Sequence, residues 1–103
     1  MLDLLNHGEE PSRCYFADND LIAAGVMKAL KEKGYHIPDD VAIIGFDDMP
    51  FCTYIEPPLT TISVPKQYMG EIAVKRLIEI IDTSDNSPLK TQVSTILVNR
   101  KSV

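Results

Sequence analysis

The sequence predicts an α/β fold with a parallel sheet built on a βαβ unit. Three observations carry that expectation. Two short apolar runs of strand length stand at residues 13–17 (RCYFA) and 41–46 (VAIIGF). An amphipathic helix pattern lies between them, and an acidic cluster follows each run directly. Strand, helix and strand in that spacing form the unit in which a right-handed crossover joins parallel neighbours.

Residues 1–7 read as a short helix, with Leu2, Leu4 and Leu5 apolar, and residues 7–12 as a linker punctuated by Gly8 and Pro11. The run 13–17, bounded by turn signals, suits a buried strand. Asp18, Asn19 and Asp20 then suit a helix N-terminus, where side-chain oxygens accept from free backbone N–H groups and carboxylates meet the positive end of the dipole. Leu21, Ile22, Gly25, Val26, Ala29 and Leu30 fall on one stripe at helical spacing, with Lys28, Lys31 and Glu32 off it. Gly34 stands where a left-handed residue ends a helix. Residues 37–40 (IPDD) make a turn. The run 41–46 is apolar throughout rather than alternating, which predicts a strand covered on both faces. Residues 49–58 are irregular, 59–64 have strand composition, and Pro65 opens a helix running to about Asp82. That helix carries Met69, Ile72, Ala73, Val74, Leu77, Ile78, Ile80 and Ile81, more than one stripe, so it expects cover around most of its circumference. Residues 83–88 read as a polar loop and 93–98 as the last strand.

At 103 residues, with 45% hydrophobic and 24% charged residues, the chain is one domain or part of one. A net charge of −5 argues against a duplex-binding module, which needs cations to displace phosphate counterions. No apolar run approaches a membrane span, and the opening residues carry no export-signal pattern. Cys14 and Cys52 stand without a metal or disulfide spacing, which points to free thiols in a reducing, cytoplasmic compartment.

Both acidic clusters follow predicted parallel strands, so both belong to one sheet edge. In open α/β sheets, ligands bind beyond the carboxyl ends of the strands. Asn19 there offers a donor and an acceptor, and Asp47 two acceptor oxygens, a set that suits vicinal hydroxyls. Asp20 and Asp48 are candidates beside them; helix capping and a post-strand turn are the structural alternatives for these clusters. No serine or cysteine has an evident paired base, and no cofactor is expected, so an enzyme is not expected. A Mg²⁺-dependent phosphohydrolase using Asp47 and Asp48 is the catalytic alternative.

The segments YFADND (15–20), IPDD (37–40), VAIIGFDD (41–48) and PPLTTI (57–62), with Gly70, Arg100 and Ser102, resemble the C-terminal half of LacI/GalR-family transcriptional regulators over nearly the whole chain. The resemblance implies a type I periplasmic-binding-protein-like lobe with a crossover helix. Its ligand would be a small-molecule effector, commonly a sugar, contacted by Asn19 and Asp47. Members often place further contacts just after the TTI motif; here those positions are Ser63, Val64 and Lys66, a departure that leaves the effector's identity open. It also implies a homodimer through the helix after Asn19 and the segment before the double proline, hence through Leu21, Ala24, Lys28, Phe51, Tyr54 and Ile55. The aromatic and aliphatic groups of 51–55 independently suit an interface, with packing inside the monomer as the alternative. The resemblance places the helix-turn-helix, the hinge helix and most of the other lobe upstream of Met1, so DNA would be contacted only through a segment outside residues 1–103. The late helix would pack largely on that other lobe, and alone the chain would self-associate or swap that helix. A sugar-binding transport protein of the same fold is the alternative within this architecture.

Overall fold

The computed structural model describes residues 1–83 and 87–103, so residues 84–86 of the expected loop lie outside the described residues. The chain forms two units, Met1–Ser63 with Ile96–Val103, and Val64–Thr95.

The first unit holds the sheet and the buried core. Its elements are α1 (Leu2–Asn6), β1 (Cys14–Phe16), α2 (Asp20–Glu32), β2 (Ala42–Phe46), the 3-10 helix η1 (Pro50–Thr53), β3 (Thr60–Ser63) and β4 (Ile96–Val98). The strand order is β1-β2-β3-β4. β1 pairs parallel with β2, as the βαβ reading requires, and β2 also pairs parallel with β3. β4 runs antiparallel to β3, so the sheet is mixed, and this last strand starts at Ile96 rather than at 93.

Because side chains alternate along each strand, the register sorts them cleanly. Tyr15, Ile43, Gly45 and Thr61 share one face; Cys14, Phe16, Ile44, Phe46 and Ile62 share the other. α2 packs on the first face, where Ala23, Met27 and Leu30 join Val41, Ile43, Cys52 and Leu59 in the core. The second face is not closed over: Phe16 is 63% exposed and meets Phe46 edge-on, with ring centroids 6.5 Å apart. Two expectations change here. β1 is an edge strand with Cys14 and Phe16 exposed, not a buried one, and β2 is covered on one face, its burial alternating along the strand. A run of apolar residues cannot by itself say whether both covering layers lie within the same stretch of chain.

The stripe on α2 also divides differently. Asn19 caps the helix, its Oδ1 accepting from the Ile22 N–H at 2.9 Å. Gly34 ends it at φ +84°, with the Tyr35 N–H returning to the Leu30 carbonyl at 3.0 Å. The residues turned inward are Ala23, Met27, Ala29 and Leu30, whereas Leu21 and Ile22 are 70% and 48% exposed. Small Ala23 lets the helix approach the sheet, so the core takes that side and leaves the larger side chains outside. After the helix, the His36 N–H donates to Asp40 Oδ2 at 2.7 Å, a bond that holds the Asp40 carboxyl below its usual range.

The second unit contains α3 (Lys66–Thr83), which begins directly after Pro65 and has no buried residue. Met69, Ile72, Ala73, Arg76, Leu77 and Ile80 border a groove of about 410 Å³ shared with Leu89, Thr91 and Val93. Val74, Ile78 and Ile81 lie off that groove and are 56%, 51% and 68% exposed. The all-round apolarity of the helix is therefore real and largely open to solvent within this unit.

Candidate effector site and its supporting network

The site grows from two strand ends. β1 ends at Phe16 and the chain passes through Ala17, whose N–H donates to the Ile44 carbonyl of β2 at 2.9 Å. This pairing brings Asn19 and the Asp47–Asp48 turn to one sheet edge, the carboxyl edge of parallel neighbours. Asn19 spends its oxygen on the α2 cap, which leaves the Nδ2 amide as the donor it can offer a ligand.

The Asp47–Asp48 turn is conformationally specialised. Asp47 has φ +111° and Asp48 φ +52°, both in territory that few non-glycine residues occupy. Strain of this kind persists only where surrounding bonds over-determine it. Here the Asp47 N–H donates to the Ile62 carbonyl at 2.9 Å, and the Asp48 N–H to Thr61 Oγ1 at 3.4 Å. Asp48 Oδ1 accepts from Arg100 Nη2 at 2.7 Å, and Arg100 Nη1 donates to the Leu59 carbonyl at 2.8 Å. Ser102, fully buried, takes the Thr60 N–H at 2.8 Å and donates to the Ile43 carbonyl at 2.6 Å. The tail after β4 thus laces β2 to β3 directly beneath the turn.

Asp20 takes a different place from the one expected. It is 0% exposed, so it has no surface to present to a ligand. Its Oδ2 accepts from the Met49 N–H at 2.7 Å and its Oδ1 from Thr61 Oγ1 at 2.5 Å. Burial first, and then the neighbouring Asp20 carboxylate, push the pKa of the Cys52 thiol up to about 12. A carboxylate taken out of water needs such donors, because an unpaired buried charge is costly. Asp48, likewise, faces a guanidinium rather than a vacant cation position, and among the described residues no three His, Cys, Asp or Glu side chains converge as a metal site. Of the four candidates, Asp20 is sealed in the core and Asp48 is engaged by Arg100, while Asn19 and Asp47 stand at the carboxyl ends of β1 and β2 on one sheet edge. Thr61, Arg100 and Ser102 do most of the holding; all three stand in the segments that carry the family resemblance, Thr61 within PPLTTI and Arg100 and Ser102 after the last strand, but nothing local in the sequence marks their role as supports.

The thiols give a direct check. Cys14 is exposed and Cys52 is buried with its proton retained far above neutrality. A maleimide at pH 8 should label Cys14 within minutes and leave Cys52 unmodified until the chain is unfolded, since the thiolate is the reacting species. Equal labelling of both in the native protein would contradict the burial described.

The expected dimer residues are brought partly together. Ala24, Lys28 and Ile55 line one groove of about 300 Å³ with Met27, Lys31 and Glu56, where Lys31 Nζ donates to the Glu56 carbonyl. Leu21 and Tyr54 are 70% and 86% exposed. Phe51 and Ile55 both pack against the core of this unit, as the monomer-packing alternative expects, although Ile55 also lines the groove.

A mixed sheet whose parallel strands end in polar turns on one edge, with α2 on one face, agrees with the family match: the chain belongs to the periplasmic binding protein-like domain family, whose model matches residues 2–103. Within it, the likeness is to LacI-family regulators. The chain is 38% identical over 102 residues to the ribose operon repressor of Escherichia coli K12, covering 99% of this chain and 31% of that protein. It matches the structure of a LacI-family transcriptional regulator from Enterococcus faecium with bound ribose at a TM-score of 0.83 and 30% identity, covering 98% of this chain and 38% of that one. It also matches the lac repressor dimer bound to operator and an anti-inducer, at a TM-score of 0.87 and 30% identity, covering 98% of this chain and 35% of the repressor. The chain thus spans about a third of the ribose operon repressor's length. Among the described residues no helix is long and apolar enough to cross a membrane.

Proposed function

We propose that these 103 residues are the effector-sensing and dimerisation portion of a cytoplasmic LacI-type transcriptional regulator, and that the effector is a sugar, with a pentose such as ribose as the leading candidate. The observation that carries the reading is Asp47, held at φ +111° at the carboxyl edge of β2, on the same edge as Asn19. A carboxylate and an amide N–H so placed can together accept from and donate to adjacent ring hydroxyls. Regulation then follows from differential binding: an effector that favours one arrangement of the whole protein shifts its population, and with it the affinity for DNA. DNA contact belongs to a segment outside these residues, in keeping with the net charge of −5. The exposed Leu21 and Tyr54, beside the Ala24–Lys28–Ile55 groove, form the flank for a second copy.

Calorimetric titration with D-ribose, other pentoses and hexoses tests the site. Asp47→Asn removes the charge while keeping a residue type that tolerates positive φ. It should weaken binding at least about tenfold, the worth of a hydrogen bond to a charged group. Equal affinity in the two proteins, or no sugar bound by either, would overturn the assignment. Asp47→Ala is a poorer test, since alanine at this φ adds strain of its own.

A further inference from the structure

We infer that Asp20 is a positioning residue for the effector site: its buried carboxylate fixes the Asp47–Asp48 turn and η1 to the first turn of α2, as one unit. The inference rests on the reading of Asp47 as an effector contact and extends it to what holds that contact in place.

The geometry is specific. One carboxylate receives the Met49 N–H, at the residue joining the turn to η1, and the Thr61 hydroxyl. That same Thr61 Oγ1 accepts from the Asp48 N–H, so Asp20 reaches the turn through one intervening side chain. Gly45, one residue before the last of β2, is the place where strand backbone lets this carboxylate approach: a Cβ there would overlap Asp20 Oδ1. The elements tied together are therefore the candidate effector turn on one side and, on the other, α2 and the segment containing Tyr54, which carry the candidate dimer flank. A ligand pulling on Asp47 and a partner pressing on α2 act on opposite ends of one hydrogen-bonded cluster, which gives the two a shared, discrete arrangement to bias.

Amide hydrogen exchange of the 103-residue chain, resolved by peptide, tests this without any ligand. Asp20→Asn keeps the shape but loses the charge and one acceptor. It should raise exchange across residues 47–53 by about tenfold or more, while β1, β2 and the middle of α2 keep their protection. Thr61→Val should give the same local pattern and Thr61→Ser, which keeps the hydroxyl, should restore protection; this pair serves if Asp20→Asn does not fold. Unchanged exchange at 47–53, or a uniform rise over the whole chain in both Asp20→Asn and Thr61→Val, would overturn the inference. The effector reading fails separately: a D-ribose titration indifferent to Asp47→Asn sinks that reading while the exchange pattern still decides the role of Asp20.

Discussion

Gly45→Ala should destabilise the protein by about 3 kcal/mol, a large loss for the addition of one methyl group. The new Cβ would overlap Asp20 Oδ1 and lie 3.0 Å from Leu59 Cδ2. Neither neighbour can yield cheaply. Leu59 is 0% exposed in the core, and Asp20, also 0% exposed, is held by the Met49 N–H and the Thr61 hydroxyl. Moving the carboxylate would strand these donors out of reach of water. The cost therefore combines overpacking with a broken buried network, the mechanisms behind unusually large single-residue effects. Urea unfolding followed by far-UV circular dichroism measures it. A change below about 1 kcal/mol would show that the strand shifts to make room, and the close approach would then not be a constraint. Gly25→Ala is the matched control, because nothing lies within 4 Å of a Cβ built there, and in a helix the alanine should stabilise slightly.

Arg100→Met should cost about 2 kcal/mol, through what it leaves behind more than through the attraction it removes. The Arg100 and Asp48 side chains are 16% and 25% exposed, so the pair is mostly shielded from solvent. Methionine preserves much of the stem but leaves the Leu59 carbonyl and Asp48 Oδ1 without their donors. The double variant Arg100→Met with Asp48→Asn should recover part of the loss, since the stranded charge is gone and asparagine still suits φ +52°. Strict additivity of the two substitutions would mean that the ion pair contributes nothing specific. Beyond stability, Arg100→Met should loosen the turn that carries Asp47, and weaker D-ribose binding would then accompany it.

The elements were legible because each rests on local chemistry. Asn19 announces a helix start by the reach of its own side chain to the Ile22 N–H, and Gly34 announces the end by tolerating φ +84°. Apolar runs at 13–17 and 41–46 marked strands, and the βαβ order made their pairing parallel. The candidate site was legible as a neighbourhood, since strand ends in a parallel sheet share an edge. Its internal division of labour was not. Asp18, Asn19, Asp20, Asp47 and Asp48 look equivalent in one dimension, yet one caps a helix, one is sealed in the core and one pairs with a residue 52 positions away.

What the sequence determined by itself is the α/β class, the helix limits and the placing of Asn19 and Asp47 at the ends of parallel strands, because these depend on periodicity and on side chains acting on their own backbone. Only the tertiary structure decided that β1 is an edge, that β4 turns antiparallel, that α2 buries Ala23 and Met27 rather than Leu21, and that Asp20 supports the site from within. Each of these depends on groups far apart in the chain meeting across a packed interior. Burial and pairing between distant residues leave no periodic trace along the chain.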